Sequence, residues 1–529
     1  MINRRTLMTT SLATLTLLGA GCSAPGRTGG EDPGSMLLAD GYEPDSLNPL
    51  LGYARTGAAK FYDGLMAFDG NGTLLPALAA EPPRSTPDAK SWTVRLRRDV
   101  TFHDGTPFDA DDVVATYRAA IDPAYASTIS SDYAMLAGVT AIDAHTVRFD
   151  LNMSYAPWPA KMVLGIVPGE KLADPAPLTD SELNTQPVGT GPYRLVEWRQ
   201  GEQMIWEGNP DHWGGAPDID TITVVFATDD NTRAQRVKAG EFDGTVLPPL
   251  LSERLGVDGY RTVHHRTADH RSITLPSRHP ITGDPAIRTA LNHAANREGM
   301  IRGLLGGHGK PAHTPIPESM GHYHEPTARF DFDPERARRI LDEAGWRPAS
   351  DGIRHRDGRR ARFTLMYFAD DSLRKQLARA FASDAANVGV EVHLAGVDRT
   401  AAAERIGTDA IVLGDGNPLD PDLQMYSTLH SSAIGTGTYN NPARYRNAEV
   451  DAALDGGRQA IDEAERARFY KRAQQAYVAD PGLVYLAFTD HSYVMRTDVW
   501  SGYEPVVEPH THGTTWGPWW NVEDWTPKR

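Results

Sequence analysis

Apolar and polar positions alternate through "SWTVRLRRDVTFHDGTPFDADDVVATYRAAIDP", which predicts a half-buried strand at Trp92, Val94 and Leu96 and a turn at Asp104-Gly105. Asp109 then reads as a helix N-cap, with Asp111 and Asp112 in the first turn, where the helix dipole favours acidic groups. Alternation returns at Tyr193, Leu195 and Glu197, turns at Gln200-Gly201 and resumes through Met204 to Trp206. Ile222, Val224 and Phe226 supply a further strand before a helix that runs towards Gly240. Farther along the period lengthens. "GDPAIRTALNHAANREGMIRGLLGG" places Asp284 as N-cap and Pro285 in the first helical position, with Ile287, Leu291, Ala294 and Ile301 on one stripe. "DPERARRILDEAG" repeats the device with Asp333, Pro334 and a terminating Gly345. The strands "RFTLMYF" and "VEVHLAGV" bracket a helical stretch, an α/β unit, and no internal repeat of fixed period is seen.

A chain of 529 residues exceeds what one core organises, so two or three lobes are expected. With 53 basic and 69 acidic side chains the formal charge is −16, which argues against nucleic acid and against an anionic membrane surface as partner. The start, "MINRRTLMTTSLATLTLLGAGCSAPG", reads as an export signal: basic residues, a short apolar run, then small residues before Cys22. Its "NRRTLM" resembles a twin-arginine signal, and an ordinary basic leader explains it as well. Cys22 is the only cysteine, so disulfides and Cys-based metal clusters are excluded. Its setting resembles the lipobox of bacterial lipoproteins, with Gly19 where a leucine is usual, and the Gly-, Pro- and Ser-rich stretch after it reads as a tether.

The strings "YDGLMAFDGNGTLLPALAAE", "WTVRLRRDVTFHDGTPFDADDVV", "VGTGPYRL", "NPDHWGG", "DPAIRTALNHAANREGMI" and "DPERARRILDEAGW" occur in one order along the chain. In these the protein resembles the dipeptide, oligopeptide and nickel-chelate class of solute-binding proteins of bacterial ABC importers (family 5), with His212 where that class usually has a tyrosine. The resemblance implies an α/β, two-lobed periplasmic-binding-protein (Venus-flytrap) fold with an extra inserted lobe. It implies residues 1–22 as export signal, 23–35 as tether, 36–68 and 186–262 as lobe I, 69–185 as inserted lobe II, 263–496 as lobe III and 497–529 as a return to lobe I. It further implies a monomer held to the membrane by lipid alone, closing on a small solute and docking on an ABC permease and ATPase complex. No resident cofactor is implied, nickel entering only as a ligand. The sequence carries no G-x-S-x-G elbow, H-E-x-x-H pair or Walker loop, so a hydrolase ranks last.

Two ligand classes compete. Asp415, in "AIVLGDGNPLDPDLQMYSTLH", falls where peptide-binding members offer a carboxylate to the ligand's amino terminus, and it equally suits a turn cap. Asp420 and Asp422 read first as helix N-terminal residues. Near the C-terminus, "EPHTHGTTWGPWWNVEDW" offers His510 and His512, resembling the His-x-His prong of nickel-binding members, whereas the rival reading is a Trp-rich strand packed in a core. The third metal partner of such members falls on Leu50, and the chelator-holding arginine has no match in "MSYAPWPAKMVLG". The balance therefore falls on a short peptide or peptide-like amine, with a nickel chelate as alternative. His430 reads as structural, and the pairs His264-His265 and His322/His324 read as surface.

Overall fold

The computed structural model describes residues 34–510 and 513–528. Cys22 and His512, the lipidation and second metal candidates, lie outside the described residues.

A seven-stranded sheet orders Tyr260–His265, His491–Arg496, Gly244–Val246, Ser35–Asp40, Thr221–Phe226, Gln203–Gly208 and Tyr193–Arg199. Its central strand Ser35–Asp40 runs parallel to both neighbours, and Met36, Leu38 and Ala39 are fully buried, as a strand covered on both faces requires. The alternation at Tyr193, Leu195 and Glu197 is interrupted by a bulge between the last two, which inserts one residue and turns Glu197 to solvent. A four-stranded sheet, Arg84–Ser85, Ser91–Arg95, Thr146–Leu151 and Leu136–Asp143, is covered by the helix Ala110–Ile121. Asp109 is the N-cap as its position predicts, accepting from Asp111 N–H at 2.8 Å, and the structure adds a capping box in which Asp112 accepts from Asp109 N–H at 2.8 Å. Trp92, Val94, Trp206, Trp519 and Trp525 belong to one continuous core shared by these two sheets.

A six-stranded sheet with its own core orders Gly309–Pro311, Leu483–Thr489, His270–Thr274, Ala410–Asp415, Arg362–Phe368 and Glu391–Val397. The last three are mutually parallel, and the helix Ser372–Ala386 crosses between the last two, as the α/β pattern predicts. The stripe from Ile287 to Ile301 belongs to two helices, Pro285–Ala294 and Arg297–Leu304. Asn296 causes the break, since its side chain accepts from Gly299 N–H at 2.9 Å and its own N–H is taken by Asp384 at 2.8 Å.

The two large sheets are joined through residues 266–269 and through Asp490, and a third segment returns across the same place, where Glu508 bridges to Thr267. Beyond it the Trp-rich stretch is helical, not a strand: Gly517–Asp524 forms 3-10 turns, with Trp516, Trp519 and Trp525 buried. His265 is buried, contrary to its reading as surface, because the return segment covers it. His322 is exposed and His324 half-buried.

Candidate functional site

The parallel strands of the six-stranded sheet end at Phe368, Val397 and Asp415, and Asp415 stands in register opposite His270, where the hinge segment enters the sheet. In open α/β sheets ligands gather at the carboxyl ends of the strands. On the other side the central strand ends at Asp40, which accepts the Thr514 N–H at 2.8 Å. The return segment thus passes between the two sheet ends, and His510 N–H donates to Gly416 C=O at 2.8 Å. Two residues singled out for rival ligands, Asp415 and His510, are thereby brought to one place.

Close packing enforces this placement. A Cβ on Gly416 would lie 2.6 Å from the backbone of Ala268, and one on Gly414 would strike the Arg271 guanidinium and the His510 ring. The half-buried Asp415 accepts the Gly416 N–H at 2.8 Å and the Thr428 hydroxyl at 3.3 Å, so it does cap its turn. Among the described residues no ion pair reaches it, whereas Asp420 is paired with Arg466 at 2.8 Å and Asp422 with Arg458 at 3.0 Å. Asp420 also N-caps the helix Pro421–Leu429 and Asp422 lies in its first turn, as their spacing suggested. Opposite Asp415, burial pushes His270 down to about 4 against the attraction of Asp415. Among the described residues neither of its ring nitrogens has a hydrogen-bond partner.

His510 is not a free prong. Its Nδ1 lies 2.7 Å from Asp269 Oδ1, inside a buried chain of charges that occupies the hinge. Asp269 also accepts from Arg271, from Thr489 Oγ1 at 3.0 Å and from His491 Nε2 at 3.0 Å. His491 Nδ1 donates to Glu508 Oε2 at 2.8 Å, Tyr493 OH donates to the same oxygen at 2.6 Å, and His265 Nδ1 stands 2.6 Å from Glu508 Oε1. Burial opposes charge throughout, and pairing outweighs it. Burial would raise Asp269, but Arg271 and His510 keep it well below the usual carboxylate range. Burial lowers His491, yet hydrogen bonds to Asp269 and Glu508 hold it at about 9. Burial raises Glu508, yet hydrogen bonds from His265 and His491 hold it at about 2.

A second contact closes the space between the six-stranded and the four-stranded sheet. Tyr155, fully buried, donates its hydroxyl to Asp422 Oδ2 at 2.6 Å, and Arg458 holds the same carboxylate while stacking 3.3 Å over the Tyr426 ring centroid. Ala156 N–H donates to Arg458 C=O at 3.3 Å. Near this contact Lys161 has a pKa lowered by burial, with Asp132 and Asp422 pulling the other way, and among the described residues it forms no ion pair. Sequence reasoning missed Tyr155, Lys161, Arg458, Asp269, His491 and Glu508. Each owes its role to a partner distant in the chain, and although Tyr155, Lys161 and Glu508 lie in segments already singled out, nothing local marked them. His430 caps the turn Ser431–Ala433 and stacks on Tyr426 with ring centroids 4.2 Å apart, a structural role.

Residues 73–436 match the model for bacterial extracellular solute-binding proteins, family 5 Middle. The chain is 43% identical to Protein XP55 of Streptomyces lividans over 93% of its own length and 91% of that protein's. It superposes on NikZ from Campylobacter jejuni, solved with Ni(L-His), with a TM-score of 0.85 and 25% identity, covering 93% of this chain and 99% of that one. It also superposes on the oligopeptide-binding protein AppA from Bacillus subtilis, solved with a nonapeptide, with a TM-score of 0.82 and 26% identity, covering 94% and 99%.

Proposed function

Because the chain belongs to the bacterial extracellular solute-binding proteins of family 5, we propose that it captures a short peptide or peptide-like amine for an ABC importer. The observation that carries the reading is Asp415, a half-buried carboxylate at the strand end that has no ion pair among the described residues, while the buried Asp269, Asp420 and Asp422 each have one. A carboxylate in such a place selects an ammonium group, which supplies the missing charge. Lys161, on the opposing side and also without an ion pair among the described residues, offers the complementary charge for the carboxylate end of a zwitterion.

No covalent step is needed. The solute is held between the lobes, Tyr155 and Asp422 fasten them, and the closed form presents a surface that a permease and ATPase complex reads. The protein acts as a monomer outside the cytoplasmic membrane, anchored through acylated Cys22. Among the described residues no helix is long and apolar enough to cross a membrane. A Cys22→Ser variant is expected in the soluble fraction, and its firm retention in the membrane would refute the anchor.

A metal chelate is the second reading, favoured by one observation: His510 stands beside Asp415, so an imidazole and a carboxylate share the site. Against it, His510 Nδ1 is already committed to Asp269. Thermal shift with di- to pentapeptides and nickel chelates separates the two, since a ligand at 100 times its Kd stabilises by about 2.7 kcal/mol. A rise in Tm with peptides supports the first reading. A rise with nickel chelates alone overturns it.

A further inference from the structure

Where an edge strand of the seven-stranded sheet meets an edge strand of the six-stranded one, Glu253, His264 and His308 each place one ligand atom within 4.8 Å of the other two. They come from three separate elements. His264 is the penultimate residue of the strand Tyr260–His265, Glu253 follows the short helix Pro249–Ser252, and His308 lies just before Gly309–Pro311, the edge strand of the six-stranded sheet. The first two therefore belong to one lobe and the third to the other.

The His308 Nε2 stands 2.5 Å from Glu253 Oε1, and the two imidazole rings stack with centroids 3.7 Å apart and planes 13° off parallel. His264 Nδ1 is committed to Ser492 Oγ at 2.7 Å, which leaves Nε2 as the nitrogen available to a cation. An exposed His–Glu pair alone is worth little and does not require a second imidazole against it. Two imidazoles and a carboxylate, with one ring oriented by an outer hydroxyl, form a ligand set suited to Zn2+ and its borderline neighbours.

We propose that His264, His308 and Glu253 form a divalent transition-metal site that links the two lobes outside the solute cleft. The ion takes the place of the hydrogen bond between His308 Nε2 and Glu253, and the ring's proton moves to Nδ1. Stacking keeps the lone pairs of the two rings in nearly parallel planes, so a turn of the half-buried His308 ring is what completes the site. An ion held from both lobes favours the interlobe angle that keeps the three ligands together, which couples metal binding to closure.

The test is calorimetric titration of the mature protein with Zn2+ alone at neutral pH. One ion per chain is expected. His308→Gln and His264→Gln should each weaken binding about tenfold or more, while His510→Ala leaves it unchanged. A zinc-induced rise in Tm should vanish in the same two variants, whose zinc-free circular dichroism reports their folding. Absence of binding, or binding that survives both substitutions and falls with His510→Ala, would overturn the proposal. Because neither readout uses a solute, failure here leaves the peptide reading intact.

Discussion

His491 carries the hinge at the scale of single residues. Its two nitrogens serve Asp269 and Glu508, both fully buried, so His491→Leu leaves two carboxylates short of a partner and should cost about 3–5 kcal/mol of stability, measured by urea unfolding. The same groups set a pH window. His491 is raised from 6.5 to about 9, so its contribution is complete below pH 6.5 and lost as pH rises towards 9. Glu508 is depressed from 4.5 to about 2, so its contribution is present above pH 4.5 and lost as pH falls towards 2. Together they predict that the difference in Tm between wild type and His491→Leu is largest between pH 4.5 and 6.5. A difference that is flat with pH would remove the charged chain from the account.

At the scale of elements, the sequence was readable wherever one face of a helix or strand is buried. The N-cap at Asp109 and the helix between two parallel strands follow from local spacing alone. The break at Ala295-Asn296 depends on Asp384 from a distant helix, and the bulge after Leu195 on the partner strand, so neither was visible locally. Asp415 and His510 were each legible as candidates. Their juxtaposition was not, because it requires the return segment to cross the hinge. The tight approach there gives a further prediction: Gly416→Ala sets a Cβ 2.6 Å from the Ala268 backbone, which cannot yield as a side-chain tip would. A loss of about 1–3 kcal/mol is expected from thermal unfolding, together with weakened solute binding as the Asp415 turn shifts.

For the whole molecule the question is what holds the lobes together. Tyr155 to Asp422 is a charge-assisted hydrogen bond between separate sheets, worth about 1.5–3 kcal/mol. If it forms only on closure, Tyr155→Phe moves the equilibrium towards the open form and lowers apparent solute affinity about tenfold or more. Small-angle scattering should then show a larger radius of gyration for the variant than for wild type at equal solute concentration. Equal radii and equal affinities would assign Tyr155 to packing alone.

The central claim, that a strand-end carboxylate with no ion pair among the described residues selects an ammonium, is tested most directly by calorimetry of one short peptide against its N-acetylated form, on wild type and on Asp415→Asn. The account predicts that acetylation weakens binding to wild type by about 2–5 kcal/mol, and that Asp415→Asn weakens the free peptide by a similar amount while leaving the acetylated form nearly unchanged. Equal affinity of the two peptides for wild type would contradict it.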